Sequence, residues 1–265
     1  MDLYLIVTFF LFGLIIGSFL NVVICRMNTA RSLGGRSACM SCQNQLCWYE
    51  LVPLFSFMGL KGRCRVCKSK ISLQYPLVEL VSGIIFVSVF YKLQNIFFID
   101  IFTFSVTYLY YVVMFGILLV IVVYDIKHKI IPDNLSLMFG SLAFIGMFFI
   151  DCNSLSSFYF HTPSILQLLS GVFVALPFFL LWLVSRGAWM GLGDAKLALG
   201  LGWFLGLSVA LSALALSFWI GTVIGLGLIF FKGYRMKSEI PFAPYLALGT
   251  FLAFIFQLNI FQIYF

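Results

Sequence analysis

Residues 190–197 read Met-Gly-Leu-Gly-Asp-Ala-Lys-Leu, and from Leu197 to Phe231 no Asp, Glu, Lys or Arg follows. Asp194 therefore stands directly behind two glycines and directly before a long lipid-compatible run. A carboxylate beside lipid is costly, so it faces a partner, a water-filled cavity or a substrate path. Glycines remove side chains where a backbone or a substrate has to come close. A second carboxylate lies far upstream, in Tyr124-Asp125-Ile126-Lys127-His128-Lys129-Ile130-Ile131-Pro132-Asp133. The pattern predicts that Asp125 and Asp194 meet as a water-activating pair at a membrane surface, with the rest of the chain delivering a peptide to it. Plainer roles compete. Asp125 also reads as an interfacial acid near Lys127 and Lys129, and Asp194 as an acid satisfying free N–H groups at a helix start. Asp133, behind Pro132, reads as the cap of the next helix. His128 reads as a solvated loop histidine, and Lys196 as the partner of an aspartate or a snorkelling lysine.

The composition around these residues belongs to a membrane protein. Of the 265 residues 63% are hydrophobic and 9% charged, with a mean hydropathy of +1.10. Soluble domains hold about 45–50% apolar and about 25% charged residues. At about 20 residues per crossing, the apolar runs predict eight spans, near 3–24, 77–96, 101–124, 134–151, 164–185, 195–207, 208–231 and 242–263. The sixth is short and rich in glycine (Gly200, Gly202, Gly206), and its break before Leu207 is inferred from that composition. The expected fold is thus an all-α polytopic membrane protein of about eight transmembrane helices with one small cytoplasmic zinc-binding loop. Residues 1–25 form the first helix, 26–74 the loop and 75–265 the remaining membrane core. The first span lacks a basic leader and a small-residue cleavage pattern before Arg26, so it reads as a retained anchor.

The net charge of +7 does not imply nucleic acid, because the basic residues fall in loops between apolar runs. Arg26, Arg31, Arg36, Lys61, Arg63, Arg65, Lys68 and Lys70 follow span 1. Lys127 and Lys129 follow span 3, Arg186 follows span 5, and Lys232, Arg235 and Lys237 follow span 7. These alternate loops lie on one side, and the positive-inside rule makes that side cytoplasmic. The outer loop around Asp151 and His161 carries no Lys or Arg. Asp125, at the inner end of span 3, and Asp194, at the inner start of span 6, then share the cytoplasmic face of the membrane.

The one sizeable polar segment contains Cys39-Met40-Ser41-Cys42 and Cys64-Arg65-Val66-Cys67. Two CxxC pairs about 20 residues apart match a structural zinc site, with Cys39, Cys42, Cys64 and Cys67 as ligands. Two disulfides are the competing reading, disfavoured in a reducing cytoplasm. Cys47 is near enough in sequence to substitute as a ligand, whereas Cys25 and Cys152, at span ends, read as small apolar residues. A loop this short has little core, so a metal would supply its fold. Trp48-Tyr49 reads as an interfacial segment at headgroup level. There is no serine in a nucleophile elbow and no HExxH motif.

Taken together, these residues resemble the type IV prepilin peptidases, bifunctional membrane aspartyl proteases and N-methyltransferases. Gly17-Ser18-Phe19-Leu20-Asn21-Val22 is similar to the family's first-span signature. The CxxC pairs with Trp48-Tyr49-Glu50 and Gly62-Arg63-Cys64 resemble its zinc loop, and Tyr75-Pro76-Leu77-Val78-Glu79-Leu80 its entry into span 2. Asp125 through Asp133 and Gly191-Leu192-Gly193-Asp194 are similar to the segments bearing its two catalytic aspartates. Ile240-Pro241-Phe242-Ala243-Pro244-Tyr245 resembles the loop before its last span, with Ala243 where glycine is common. The resemblance implies cleavage of prepilins or pseudopilins after the glycine that ends a short basic leader, at the cytoplasmic face. It also implies methylation of the new N-terminal amine from S-adenosylmethionine, by residues that no motif here identifies. Four alternatives remain: a peptidase without the methyltransferase activity, another GxGD membrane protease, a proton-coupled transporter, whose carboxylates would line a path to both sides, and a zinc-bearing assembly factor, which would tolerate loss of either aspartate.

Overall fold

The computed structural model describes residues 3–27, 29, 34–150, 160–232 and 240–261. Cys152 and the loop residues Arg31, Asp151, Arg235 and Lys237 lie outside these. Among the described residues there are nine α-helices, one 3-10 turn and no strand longer than an isolated bridge. The all-α expectation holds. The chain forms two compact units, Met1–Lys92 and Leu93–Phe265.

The N-terminal unit starts with α1 (Leu3–Arg26). A polar segment follows, carrying the 3-10 turn Trp48–Leu51 and the short α2 (Phe55–Gly59), and then α3 begins (Gln74–Phe97). Helices α1 and α3 pack through a seam of small residues. A Cβ on Gly13 would stand 2.7 Å from the Gly83 Cα, and one on Gly17 would stand 2.7 Å from the Glu79 Cα. In lipid, where no hydrophobic force drives helices together, such close backbone approach is what gives dispersion contacts. Further along, the rings of Phe9 and Phe90 stack at 4.2 Å.

The second unit holds α4 (Ile101–His128), α5 (Asp133–Gly146), α6 (Ile165–Ser185), α7 (Leu192–Leu205), α8 (Leu207–Lys232) and α9 (Ala243–Phe256). Helix α4 begins where the Asp100 side chain accepts from the Phe102 N–H at 2.9 Å. It ends at Lys129, in the left-handed conformation, whose N–H reaches back to the Asp125 carbonyl at 2.7 Å. Its face of Met114, Leu118 and Ile121 is fully buried, as are Phe139 on α5, Leu197 and Leu201 on α7, and Leu246 on α9. Helix α7 is apolar nearly all round because it is enclosed: α5 and α6 pack on it and α9 touches it, as expected of a helix without a solvent face. Gly171 of α6 and Gly202 of α7 meet backbone to backbone, and the Ser170 hydroxyl donates to the Gly202 carbonyl at 2.9 Å. Gly206, with φ +74°, ends α7 where the break before Leu207 is expected.

Eight of the helices coincide with the eight expected spans, but length separates them. Five are long and apolar enough to cross a bilayer: α1, α3, α4, α6 and α8. Helices α5, α7 and α9 have 14 residues each, about 21 Å of rise against a hydrocarbon core of about 30 Å. The count of eight crossings is therefore not carried by helix length. The span expected over 134–151 stops being helical at Gly146, where Phe148–Ile150 continue as turns although the composition stays apolar. The expected cap also differs: Pro132 occupies the N-cap of α5, and Asp133 lies inside the first turn.

The α6–α7 contact sets the position of α7. Gly202→Val should destabilise the detergent-solubilised protein by about 1–3 kcal/mol, the usual cost of overpacking. Gly227→Ala on α8, where an added Cβ meets nothing within 4 Å, should be neutral or stabilising by up to about 1 kcal/mol. Unfolding curves of both variants check this, and equal stability of the two would contradict it.

Candidate active site and metal centre

Asp125 occupies the last turn of α4 and is only 5% exposed. Its Oδ2 accepts the N–H of Ala243 at 3.2 Å. Ala243 is the first residue of α9, so its N–H is one of the donors a helix start leaves without an intrahelical acceptor, at the positive end of the helix dipole. Asp194 is the third residue of α7, at another positive helix end. The glycine before it has a spatial reason: a Cβ on Gly193 would stand 2.9 Å from the Ile131 Cβ. Its absence lets the α4–α5 connection lie against the start of α7. Gly191 needs no special backbone conformation (φ −74°), and a Cβ there would stand 3.9 Å from the Asp194 Oδ2, so that side of the carboxylate is open. The two carboxyl groups come within electrostatic reach of one another. Lys196, one turn into α7, clamps the same junction from outside, its Nζ 2.7 Å from the Asp133 Oδ1.

The structure thus gathers the end of α4 and the starts of α5, α7 and α9 around two carboxylates. Of the neighbouring candidates, Lys196 is the partner of an aspartate, but of Asp133 rather than of the pair. His128 is exposed at the end of α4 and lies against the Tyr124 ring at 4.4 Å, which is the solvated role expected of it.

In the N-terminal unit the two CxxC pairs fold into matching knuckles. Ala38 bridges to Gln45 and Arg63 to Lys70. The Cys39 N–H donates to the Asn44 carbonyl and the Cys64 N–H to the Ser69 carbonyl, both at 2.9 Å. Gln43 and Lys68, each following a second cysteine, take positive φ of 58° and 59°. The result is a group of four sulfurs, Cys39, Cys42, Cys64 and Cys67, all within 4.8 Å of one another. The Cys39 and Cys67 sulfurs lie 3.8 Å apart, which equals the edge of about 3.8 Å of a tetrahedron with zinc–sulfur bonds of about 2.3 Å. The Cys42 N–H, followed by that of Ser41, brings the Cys39 thiol down to about 6. The Ser69 hydroxyl lowers Cys67. Cys42, although the Asn44 N–H favours its thiolate, is pushed up to about 11 by desolvation and by the Cys67 and Cys39 sulfurs. A divalent cation relieves the repulsion of four thiolates held this close. The cluster could hold zinc.

Cys47 is not part of this group. It precedes the 3-10 turn, its N–H donates to the Glu50 Oε2 at 2.7 Å, and its sulfur lies 3.7 Å from the Arg65 Nη2. Trp48 is 79% exposed, as an interfacial residue would be, but its neighbour Glu50 turns inward and pairs with the Arg65 Nε at 3.2 Å. Arg65 sits inside the second CxxC pair, so this contact ties the 3-10 turn to the knuckle. Sequence reasoning passed over this pair, because a lone Glu and a lone Arg in a loop carry no spacing signal. It also passed over a cavity of about 700 Å³ enclosed by α1, the knuckles and the start of α3, with Asn21 and Glu79 in its wall.

Comparison with known proteins agrees with both halves. Residues 11–93 match the Bacterial Peptidase A24 N-terminal domain, and residues 112–226 match the Type IV leader peptidase family. The prepilin leader peptidase/N-methyltransferase of Aeromonas hydrophila is 30% identical over 272 residues, covering 92% of this chain and 88% of the relative. Its counterpart from Bacillus subtilis (strain 168) is 29% identical over 257 residues, covering 96% of each. That of Xanthomonas campestris pv. campestris is 31% identical over 270 residues, covering 91% and 88%. No solved structure gives a match. With its four clustered cysteines inside one matched region, its two aspartates inside the other, and relatives aligned over about nine-tenths of its length, the chain belongs to the type IV leader peptidase family.

Proposed function

We infer that this protein is a membrane aspartyl endopeptidase that removes the leader of type IV prepilins or pseudopilins after a glycine, and that it methylates the amine so exposed. The observation that carries the peptidase reading is the meeting of Asp125 and Asp194 at the joined ends of four helices. A transporter would place its carboxylates along a path between two sides, whereas this pair gathers at one end of the second unit. Lys127 and Lys129, beside Asp125, fit a cytoplasmic location for that end by the positive-inside rule.

In this reading the two carboxyl groups hold one proton between them, because two like charges at one site are unfavourable. The ionised member takes a proton from water, and the water oxygen adds to the scissile carbonyl carbon. The protonated member gives its proton to the carbonyl oxygen, which completes a tetrahedral diol. The first carboxyl then returns its proton to the peptide nitrogen as the C–N bond breaks, and the second recovers its proton from a hydroxyl of the diol. Water has been added across the bond, and the pair again holds one proton, which belongs to the dyad rather than to either residue. The Ala243 N–H fixes one oxygen of Asp125 throughout, so Ala243 is a positioning residue that acts through its backbone.

The four cysteines are the ligands of a structural zinc ion in this reading, supported by the tetrahedral spacing of their sulfurs. The ion holds two knuckles that have little core of their own. When bound, S-adenosylmethionine supplies an electrophilic methyl group to a neutral amine. The names of the relatives, prepilin leader peptidase/N-methyltransferase, support that activity, and in this reading it belongs to the N-terminal unit.

Asp125→Asn and Asp194→Asn should each slow prepilin cleavage by about 10²–10⁴-fold, the usual contribution of a positioned acid or base, with normal protein levels. Cleavage at the native rate in either variant would remove that residue from the pair. The purified protein should carry one zinc ion per chain by elemental analysis, and Cys64→Ser should lose it. A metal-free native protein with alkylation-resistant cysteines would favour disulfides instead. Mass spectrometry of the cleaved pilin should show its N-terminus heavier by one methyl group when the donor is supplied, and an unmethylated product would leave a peptidase alone.

A further inference from the structure

The cavity of the N-terminal unit has two chemically distinct ends. Toward the helices lie Asn21 of α1 and Glu79 of α3, 2% and 8% exposed. The Asn21 amide is oriented by its Nδ2, which donates to the Tyr75 carbonyl at 3.1 Å. Its Oδ1, buried, has no hydrogen-bond partner among the described residues. A buried acceptor left unmatched costs about 1–3 kcal/mol, so it marks a place where a donor belongs. Glu79 adds a carboxylate beside it. One oxygen accepts the Leu54 N–H at 2.9 Å, and the Ser18 hydroxyl donates to the same group. Gly17 is what permits this closeness, since any side chain there would strike the Glu79 backbone. No cation pairs with Glu79 among the described residues within salt-bridge distance, in contrast to Glu50, whose charge Arg65 answers. Toward the knuckles the wall carries Arg36 and Lys70 beside the Glu50–Arg65 pair, and Arg26, at the end of α1, also lines it, its Nη1 donating to the Gly34 carbonyl.

The helix side thus offers acceptors and the Glu79 carboxylate, the knuckle side carries more cations than anions, and Phe57 and Tyr75 add ring surface to the wall. A free amino acid group, with ammonium and carboxylate on one carbon, complements both ends, whereas a peptide N-terminus brings only the ammonium. The volume of about 700 Å³ lies in the range of about 300–1,000 Å³ that small-molecule and cofactor sites take. We propose that this cavity binds the methyl donor S-adenosylmethionine, with Asn21 and Glu79 receiving its ammonium group and the Arg36–Lys70 side its carboxylate. The assignment rests on the methyltransferase reading above and adds the site and the residues to it.

S-adenosylhomocysteine, which keeps the amino acid end, and adenosine, which lacks it, are the probes, with binding followed by calorimetry on the full-length zinc-loaded protein. Glu79→Gln removes the charge but leaves an acceptor for the Leu54 N–H. It should weaken S-adenosylhomocysteine by about 10–100-fold, the loss expected for a charge-assisted hydrogen bond, and leave adenosine unchanged. Unaltered zinc content shows that the variant is folded. In the unsubstituted protein, S-adenosylhomocysteine should slow alkylation of Cys25, which lines the cavity beside the Tyr75 hydroxyl, read peptide by peptide. If the native protein binds S-adenosylhomocysteine but Glu79→Gln binds it equally tightly, or if Cys25 reacts at its free rate in the complex, the cavity assignment is overturned and the methyltransferase reading stands. If the native protein cuts prepilin, binds no S-adenosylhomocysteine and leaves the product unmethylated, the methyltransferase reading falls and the cavity assignment with it.

Discussion

Bringing two carboxylates together beside lipid is the constraint around which the second unit is arranged. Each charge is expensive away from bulk water, and each makes the other more so. Helix starts answer part of that cost. Asp125 takes a free N–H from the first residue of α9, and Asp194 lies in the first turn of α7. Lys196, two residues past Asp194, pairs with Asp133 on the outside of the junction. A lysine on the pair would hold both groups ionised and leave no acid to donate. Backbone dipoles stabilise negative charge more gently, which suits the proposed sharing of one proton.

The N-terminal unit solves a different problem, how to fold a segment that leaves most of its large apolar side chains, Trp48, Phe55 and Met58 among them, exposed. It does so twice in the same way, each CxxC pair bent by the same hydrogen bond and the same positive-φ residue. The Glu50–Arg65 pair then fastens the intervening turn to the second knuckle. The cavity wall is built from this segment and from the inner ends of α1 and α3. A metal held by the four cysteines would therefore bear on the cavity as well as on the knuckles.

The parts legible in the sequence were those with a local signature. The CxxC spacing marked all four members of the sulfur cluster, and the apolar runs located eight of the nine helices. The glycines of 191–206 marked both the approach of Ile131 to α7 and the break at Gly206. What stayed hidden depends on contacts distant in sequence. Nothing near Ala243 says that its N–H will meet Asp125, and nothing near Asn21 says that one of its amide atoms will lack a partner. Cys47 looked like a ligand because it is near Cys42 in sequence, yet its turn points it to Arg65. Helix lengths were overestimated for a related reason. Apolar composition continues past Gly146 and past Phe256, but the helices do not, so hydropathy measured the apolar stretch and not the rod inside it.

Of those short rods, α5 and α9, with Leu137, Ile145 and Leu248 exposed, bear on the lipid around them. Helices α5, α7 and α9 all start at the aspartate junction and reach about 21 Å from it. A bilayer accommodates so large a hydrophobic mismatch by thinning or by letting water follow the helix ends inward, at a cost that grows with each ångström. A scissile bond beside a membrane-embedded helix needs such a hydrated depression, because the reagent that cuts it is water. The bilayer is then a working part of the enzyme, and its thickness sets how easily substrate and solvent arrive at the same place.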